Sequence, residues 1–188
     1  TAEDVKKLKN DILIIDAREE KLFKAGHLKG SVNIMEGLKF ETWLGTVVCP
    51  GEMFYLTAKN QAQLKMLIER IAFIGYENQI EGAFLLDYVN EADPEFDIEN
   101  FKQHPEQYTI LDIRNSSEII NGKSFTDALA LPLGNLPQKL ENIPSEKPIV
   151  VHCAAGYRSA IGSSLLRARL NGSTHVFDLG SKVKELLN

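Results

Sequence analysis

The chain has 188 residues, enough for one domain or two small ones, and its 44% hydrophobic and 25% charged residues exclude a disordered or collagen-like polymer. Lysine and arginine total 21 against 26 aspartate and glutamate, a net charge of −5 with no basic cluster, which argues against nucleic acid as a partner. No apolar run nears the ~18 residues of a membrane span, so no membrane partner is expected.

Taken in chain order, Thr1 to Asn10 is polar and lysine-bearing, which predicts no signal peptide; Thr rather than Met at position 1 fits a chain processed or cut from something longer. Leu13-Ile14-Ile15-Asp16-Ala17-Arg18 reads as a buried parallel strand whose C-terminal end carries polar residues. Cys49 follows in Val47-Val48-Cys49-Pro50-Gly51 and is expected to be a structural thiol, because free cysteine usually packs as a small hydrophobe; a resolving cysteine is the minor alternative. Met53-Phe54-Tyr55-Leu56-Thr57 is a second strand running into a helix patterned on Leu64, Leu67, Ile68 and Ile71, with Gly75 as its C-cap. The acidic stretch Glu91-Ala92-Asp93-Pro94-Glu95-Phe96-Asp97 reads as a linker.

Beyond the linker the pattern returns. Thr109-Ile110-Leu111-Asp112-Ile113-Arg114 repeats the Asp-x-Arg strand at an offset of 96 residues. Ile149-Val150-Val151-His152-Cys153 runs into a helix patterned on Ile161, Leu165 and Ala168 and capped by Asn171-Gly172; matching Cys153 to Thr57 gives 96 again. Two features at one offset predict two copies of one fold, residues 1–92 and 97–188. Each copy reads helix, strand, loop, strand, loop, helix, short strand, an α/β domain with a mostly parallel sheet flanked by helices.

Chemistry concentrates at the end of the strand Ile149 to His152. Cys153 opens the small-residue loop Ala154-Ala155-Gly156-Tyr157-Arg158-Ser159 just where a helix begins. Unpaired amides and the positive end of a helix dipole favour an anion there, and Gly156 lets the loop curl so that its amides converge. A thiol in that position, near Arg158, is expected to be more acidic than a free one and nucleophilic at neutral pH. A packing role is the usual fate of cysteine, but a strand end in an open α/β sheet is where such folds place their ligands. The Asp16–Arg18 and Asp112–Arg114 pairs are expected to fix the strand ends, with Arg114 facing the pocket as the lesser alternative. His27 is expected to hold its turn by a hydrogen bond, and His152 to point away from Cys153 because strand side chains alternate. His104 and His175 have no clustered partners, and no metal signal is present.

The loop from Cys153 to Ser159 resembles the active-site loop of the rhodaneses, sulfurtransferases that carry sulfur as a cysteine persulfide. The segment Ala25-Gly26-His27-Leu28-Lys29-Gly30-Ser31-Val32-Asn33-Ile34 resembles their second signature. The resemblance spans two tandem rhodanese-like domains. The first is implied to be inactive, with Thr57 in place of the cysteine, and the second catalytic, although Asn121-Gly122-Lys123-Ser124-Phe125-Thr126 lacks the Gly-His signature. Cys153 and Arg158 are the implied catalytic residues, and Ala154, Ala155, Gly156, Tyr157 and Ser159 the substrate-binding ones, with no metal or cofactor. The implied partners are small sulfur-containing anions, such as thiosulfate, and thiol acceptors. Tandem pairs with one cysteine-less copy also resemble the C-terminal part of fusions with a metallo-β-lactamase-fold domain, which implies a fused or separate sulfur-metabolism domain as a further partner; the histidine-rich motif of that fold is absent here.

Two rival readings follow. A cysteine phosphatase or arsenate reductase also opens a helix with a cysteine and an arginine, but four residues separate Cys153 from Arg158 and the phosphatase loop is one residue longer. A non-catalytic module used for partner binding or regulation is the reading that fits the first copy. A reducing cytoplasm is the expected location, since the only cysteines, Cys49 and Cys153, have no disulfide or metal spacing.

Overall fold

The computed structural model describes residues 2–170 and 172–186. The chain divides into two units, Thr1–Asp93 and Pro94–Asn188. The first runs α1 (Ala2–Val5), β1 (Leu13–Asp16), α2 (Glu20–Ala25), β2 (Ser31–Asn33), α3 (Phe40–Val47), β3 (Phe54–Ala58), α4 (Gln61–Phe73) and β4 (Ile80–Leu85). The second runs α5 (Ile98–Gln103), β5 (Thr109–Asp112), α6 (Ser116–Ile120), β6 (Leu129–Ala130), β7 (Ile149–His152), α7 (Tyr157–Leu170), β8 (Val176–Asp178) and α8 (Val183–Leu186). Within each unit the strands form a four-stranded, wholly parallel sheet, ordered β2-β1-β3-β4 in the first and β6-β5-β7-β8 in the second. Each unit is therefore the α/β domain that the alternating pattern predicts.

The inner strands explain why their apolar runs are continuous. β1 and β3 are buried along their whole length, as is β7, because helices cover both faces of a parallel sheet. α4 places Leu64, Leu67 and Ile71 on one buried stripe. It stops where Gly75 takes φ +75°: the Gly75 amide donates to the Ala72 carbonyl at 3.0 Å and that of Tyr76 to the Ile71 carbonyl at 3.2 Å, which satisfies the last carbonyls of the helix. The counterpart of Gly75 in the second unit is Gly172, at φ +83°, whereas Asn171 lies outside the described residues.

Three features differ from the sequence reading. The connections hold short helices (α2, α3 and α6), and the last strand of the first unit, β4, is six residues long. The stretch read as a linker is mostly tied down. Glu91 bridges to His27, the Asp93 amide donates to the Lys24 carbonyl at 3.0 Å, Phe96 packs in the core of the second unit, and Asp97 caps α5 through the Asn100 amide at 2.9 Å. Among the described residues no helix is long and apolar enough to cross a membrane.

Candidate functional site

β7 lies between β5 and β8 and delivers Cys153 at the C-terminal edge of its sheet. Gly156 turns the chain into α7 with φ +105°, and a Cβ on it would sit 3.1 Å from the Ser181 nitrogen and 3.2 Å from the Gly180 carbonyl carbon. Only glycine meets both demands, the left-handed backbone and the close approach. The result is a directed donor: the Gly156 amide donates to Cys153 Sγ at 3.2 Å. Ser159 Oγ donates to the Gly156 carbonyl at 2.9 Å and lies 3.7 Å from the same sulfur. The thiol is only 2% exposed, while Ala154 and Ala155 are exposed and Tyr157 and Arg158 are half-buried. Each predicted site residue thus falls on this one loop and the first turn of α7.

Arg158 is held by a residue that the sequence reading missed. Its Nη1 and Nη2 donate to the two carboxylate oxygens of Glu118 at 2.5 and 2.8 Å, a fork-to-fork pair. This bond to Arg158 holds the Glu118 carboxyl down at about 2 against an opposing push from burial, and it raises the Arg158 pKa, with the nearby Cys153 sulfur adding to that rise. Glu118 also closes a capping box at the start of α6, accepting from the Asn115 amide at 3.1 Å. The pattern Asn115-x-x-Glu118 signals the cap, whereas the pairing with Arg158, 40 residues away, has no local signal. The contact of Gly156 with Gly180 and Ser181 had no local signal, because it joins distant parts of the chain.

The Asp-x-Arg motifs behave alike in both units. Arg114 Nη2 donates to Asp112 Oδ2 at 2.6 Å and to the Gly122 carbonyl at 2.9 Å; Arg18 Nη2 donates to Asp16 Oδ2 at 2.6 Å and to the Gly26 carbonyl at 2.8 Å. They fix the strand ends. His27 stacks on Phe23 with ring centroids 4.0 Å apart and bonds the Phe23 carbonyl through Nδ1 at 2.9 Å, so it holds its turn. His152 is fully buried, edge-on to Phe125 at 4.9 Å and with Nε2 3.8 Å from Asp112 Oδ2, and burial pushes its pKa down, which keeps the ring neutral. Cys49 departs from its expected packing role: it is exposed in the turn after α3, where its amide bonds Glu52. Among the described residues no group of three or more His, Cys, Asp or Glu could hold a metal ion.

The matching turn of the first unit corrects one alignment. Asp16 pairs with Thr57 in the sheet, as Asp112 pairs with His152, so Ala58 rather than Thr57 stands where Cys153 does. The helices nevertheless align at the longer offset: the Leu64 amide bonds the Asn60 carbonyl as the Ala160 amide bonds the Gly156 carbonyl, each at 3.0 Å. The first turn is therefore one residue shorter. A compensating difference upstream concealed this, and an apolar run alone does not fix strand register.

Comparison with known proteins places these features. The Rhodanese-like domain family matches residues 1–80 and 97–184. A sulfurtransferase of Allochromatium vinosum is 35% identical over 71 residues, a match covering 38% of this chain and 64% of that protein, so the chain spans less than two-thirds of that relative's length. A thiosulfate sulfurtransferase structure from Pseudomonas aeruginosa is 19% identical with a TM-score of 0.36, covering 92% of this chain and 38% of that one. A 3-mercaptopyruvate sulfotransferase structure from Escherichia coli is 14% identical with a TM-score of 0.33, covering 94% of each chain.

Proposed function

The chain belongs to the rhodanese-like domain family, and from that premise we propose that it is a sulfurtransferase, moving sulfane sulfur from a thiosulfate- or persulfide-type donor to a thiol or other nucleophilic acceptor through a persulfide on Cys153. The observation that carries this reading is the Gly156 amide aimed at Cys153 Sγ from 3.2 Å at the start of α7. A main-chain donor fixed beside the sulfur is suited to stabilising negative charge as it develops there.

In this mechanism the Cys153 thiolate attacks the outer sulfur of the donor. With thiosulfate, the S–S bond of the donor breaks, its electron pair leaves with sulfite, and Cys153–S–S⁻ remains. The loop amides hold the terminal sulfur, Arg158 helps to orient the donor, and Ala154, Ala155, Tyr157 and Ser159 wall the site. An acceptor nucleophile then takes the outer sulfur and restores the thiolate. The first unit, with Ala58 at the matching position, has no thiol at the turn into its helix and serves as a non-catalytic, partner-binding copy. A sulfur-metabolism domain, fused as in metallo-β-lactamase-fold/rhodanese chains or separate, is the partner proposed for it. Two free thiols, one of them exposed, suit a reducing compartment such as the cytoplasm.

Whole-protein mass spectrometry after exposure to thiosulfate tests the reading. The expected result is a gain of one sulfur atom, blocked by prior alkylation and absent in Cys153→Ser, with sulfur-transfer activity falling at least about a thousandfold in that variant. Normal transfer by Cys153→Ser, or hydrolysis of an aryl phosphate by the pure protein in place of sulfur uptake, overturns it.

A further inference from the structure

We propose that Glu118 sets the donor preference of this site through Arg158, by neutralising the guanidinium so that singly charged sulfane donors are favoured over dianionic ones. This rests on the sulfur-transfer reading above. Both carboxylate oxygens of Glu118 are engaged by Arg158, at 2.5 and 2.8 Å, so the cation beside Cys153 already has its counter-ion. Arg114 is matched in the same way by Asp112, at 2.6 Å. These two arginines and two carboxylates sum to no net charge, and a dianion gains little from them.

The pair is more than a brace between α6 and α7. The same frame occurs in the first unit, where the Asp-x-Arg motif again reaches the glycine carbonyl, Gly26 for Gly122. At the offset of 96 that relates those glycines, Glu118 and Arg158 are replaced by Leu22 and Ala62. The frame folds without the pair, and both partners are missing together from the unit that has Ala58 where Cys153 stands. The capping role of Glu118 does not require a charge either, since glutamine serves at that position of a capping box. What the charge adds is its effect on Arg158.

Two donors that differ by one charge but present the same outer sulfur provide the test. Thiosulfate gives Cys153–S–S⁻ and sulfite. Methanethiosulfonate, a monoanion, gives the same persulfide and methanesulfinate: the thiolate attacks the outer sulfur, and the S–S electron pair leaves with the sulfinate. The readout is the ratio of kcat/KM for thiosulfate to that for methanethiosulfonate. Glu118→Gln is expected to raise this ratio about tenfold at low salt, an increase that shrinks as salt is added. Glu118→Asp, which keeps the charge, should stay near the wild-type ratio. If Glu118→Gln fails to fold, Glu118→Ala carries the same expectation. A ratio unchanged in Glu118→Gln, with both donors slowed alike, means a bracing role only and overturns the proposal while sulfur transfer stands. Failure of the wild-type protein to gain sulfur from either donor overturns both readings.

Discussion

The turns from β3 into α4 and from β7 into α7 begin from equivalent strand ends and satisfy their helix amides in opposite ways. In the first unit Asn60 Oδ1 accepts from the Gln63 amide at 2.9 Å, Gln63 Oε1 accepts from the Lys59 amide at 2.7 Å, and Gln63 Nε2 reaches Glu36 at 2.7 Å. The turn closes on itself. In the second unit the residue before the helix is Gly156, which has no side chain with which to cap, and its amide points at a sulfur. The amides of a helix start are limited in number: side chains that occupy them stabilise the helix, and leaving them open creates a place for an anion. One added residue and a glycine separate the two outcomes.

The largest effect on this comparison is expected from Gly156→Ala. The left-handed backbone and the 3.1 Å approach to Ser181 must both give way, so sulfur uptake by Cys153 should fall about a hundredfold, with a stability loss of about 1–3 kcal/mol. Rates of thiosulfate-dependent mass gain and urea unfolding read the two effects. Retention of full activity would show that the amide aimed at the sulfur is dispensable.

Acid comes next. Glu118 has a folded-state pKa of about 2, below its ordinary 4.5, so its contribution to stability is present above the ordinary value and is lost as pH falls from about 4.5 towards 2. Unfolding followed across that range should show a steeper loss in the wild-type protein than in Glu118→Gln; parallel curves would mean that the ion pair contributes nothing measurable. The smallest effect belongs to the closed turn. Asn60→Ala should cost about 1 kcal/mol of stability, measured by denaturant unfolding, and leave sulfur uptake unaltered.

Much of this contrast is legible in residue order, and the reasons are local. The apolar run ending at His152, the small residues after Cys153 and the glycine at 156 are neighbours in sequence and in space, so the loop can be read directly. So can the repeat of Asp-x-Arg. The short helices cannot, because five to eight residues give too few turns for a periodic signal. The register of β3 differs by one residue from its sequence alignment, since any apolar strand slides without loss of pattern until its partner is known. Glu118 is hidden because a helix cap gives no sign that it also faces a loop 40 residues away. The linker is narrower than its composition suggests, because Glu91 and Asp97 carry turn chemistry but use it on the units at either side.

The arginine that closes each Asp-x-Arg motif reaches a carbonyl eight residues further on. Fastened at both ends, the intervening span becomes a cassette: Arg18 to Gly26 and Arg114 to Gly122 share their anchors and little between them. The anchors hold the ends of the span to the strand while its sequence differs between the units, from Phe23 buried in the first to Glu118 paired with Arg158 in the second.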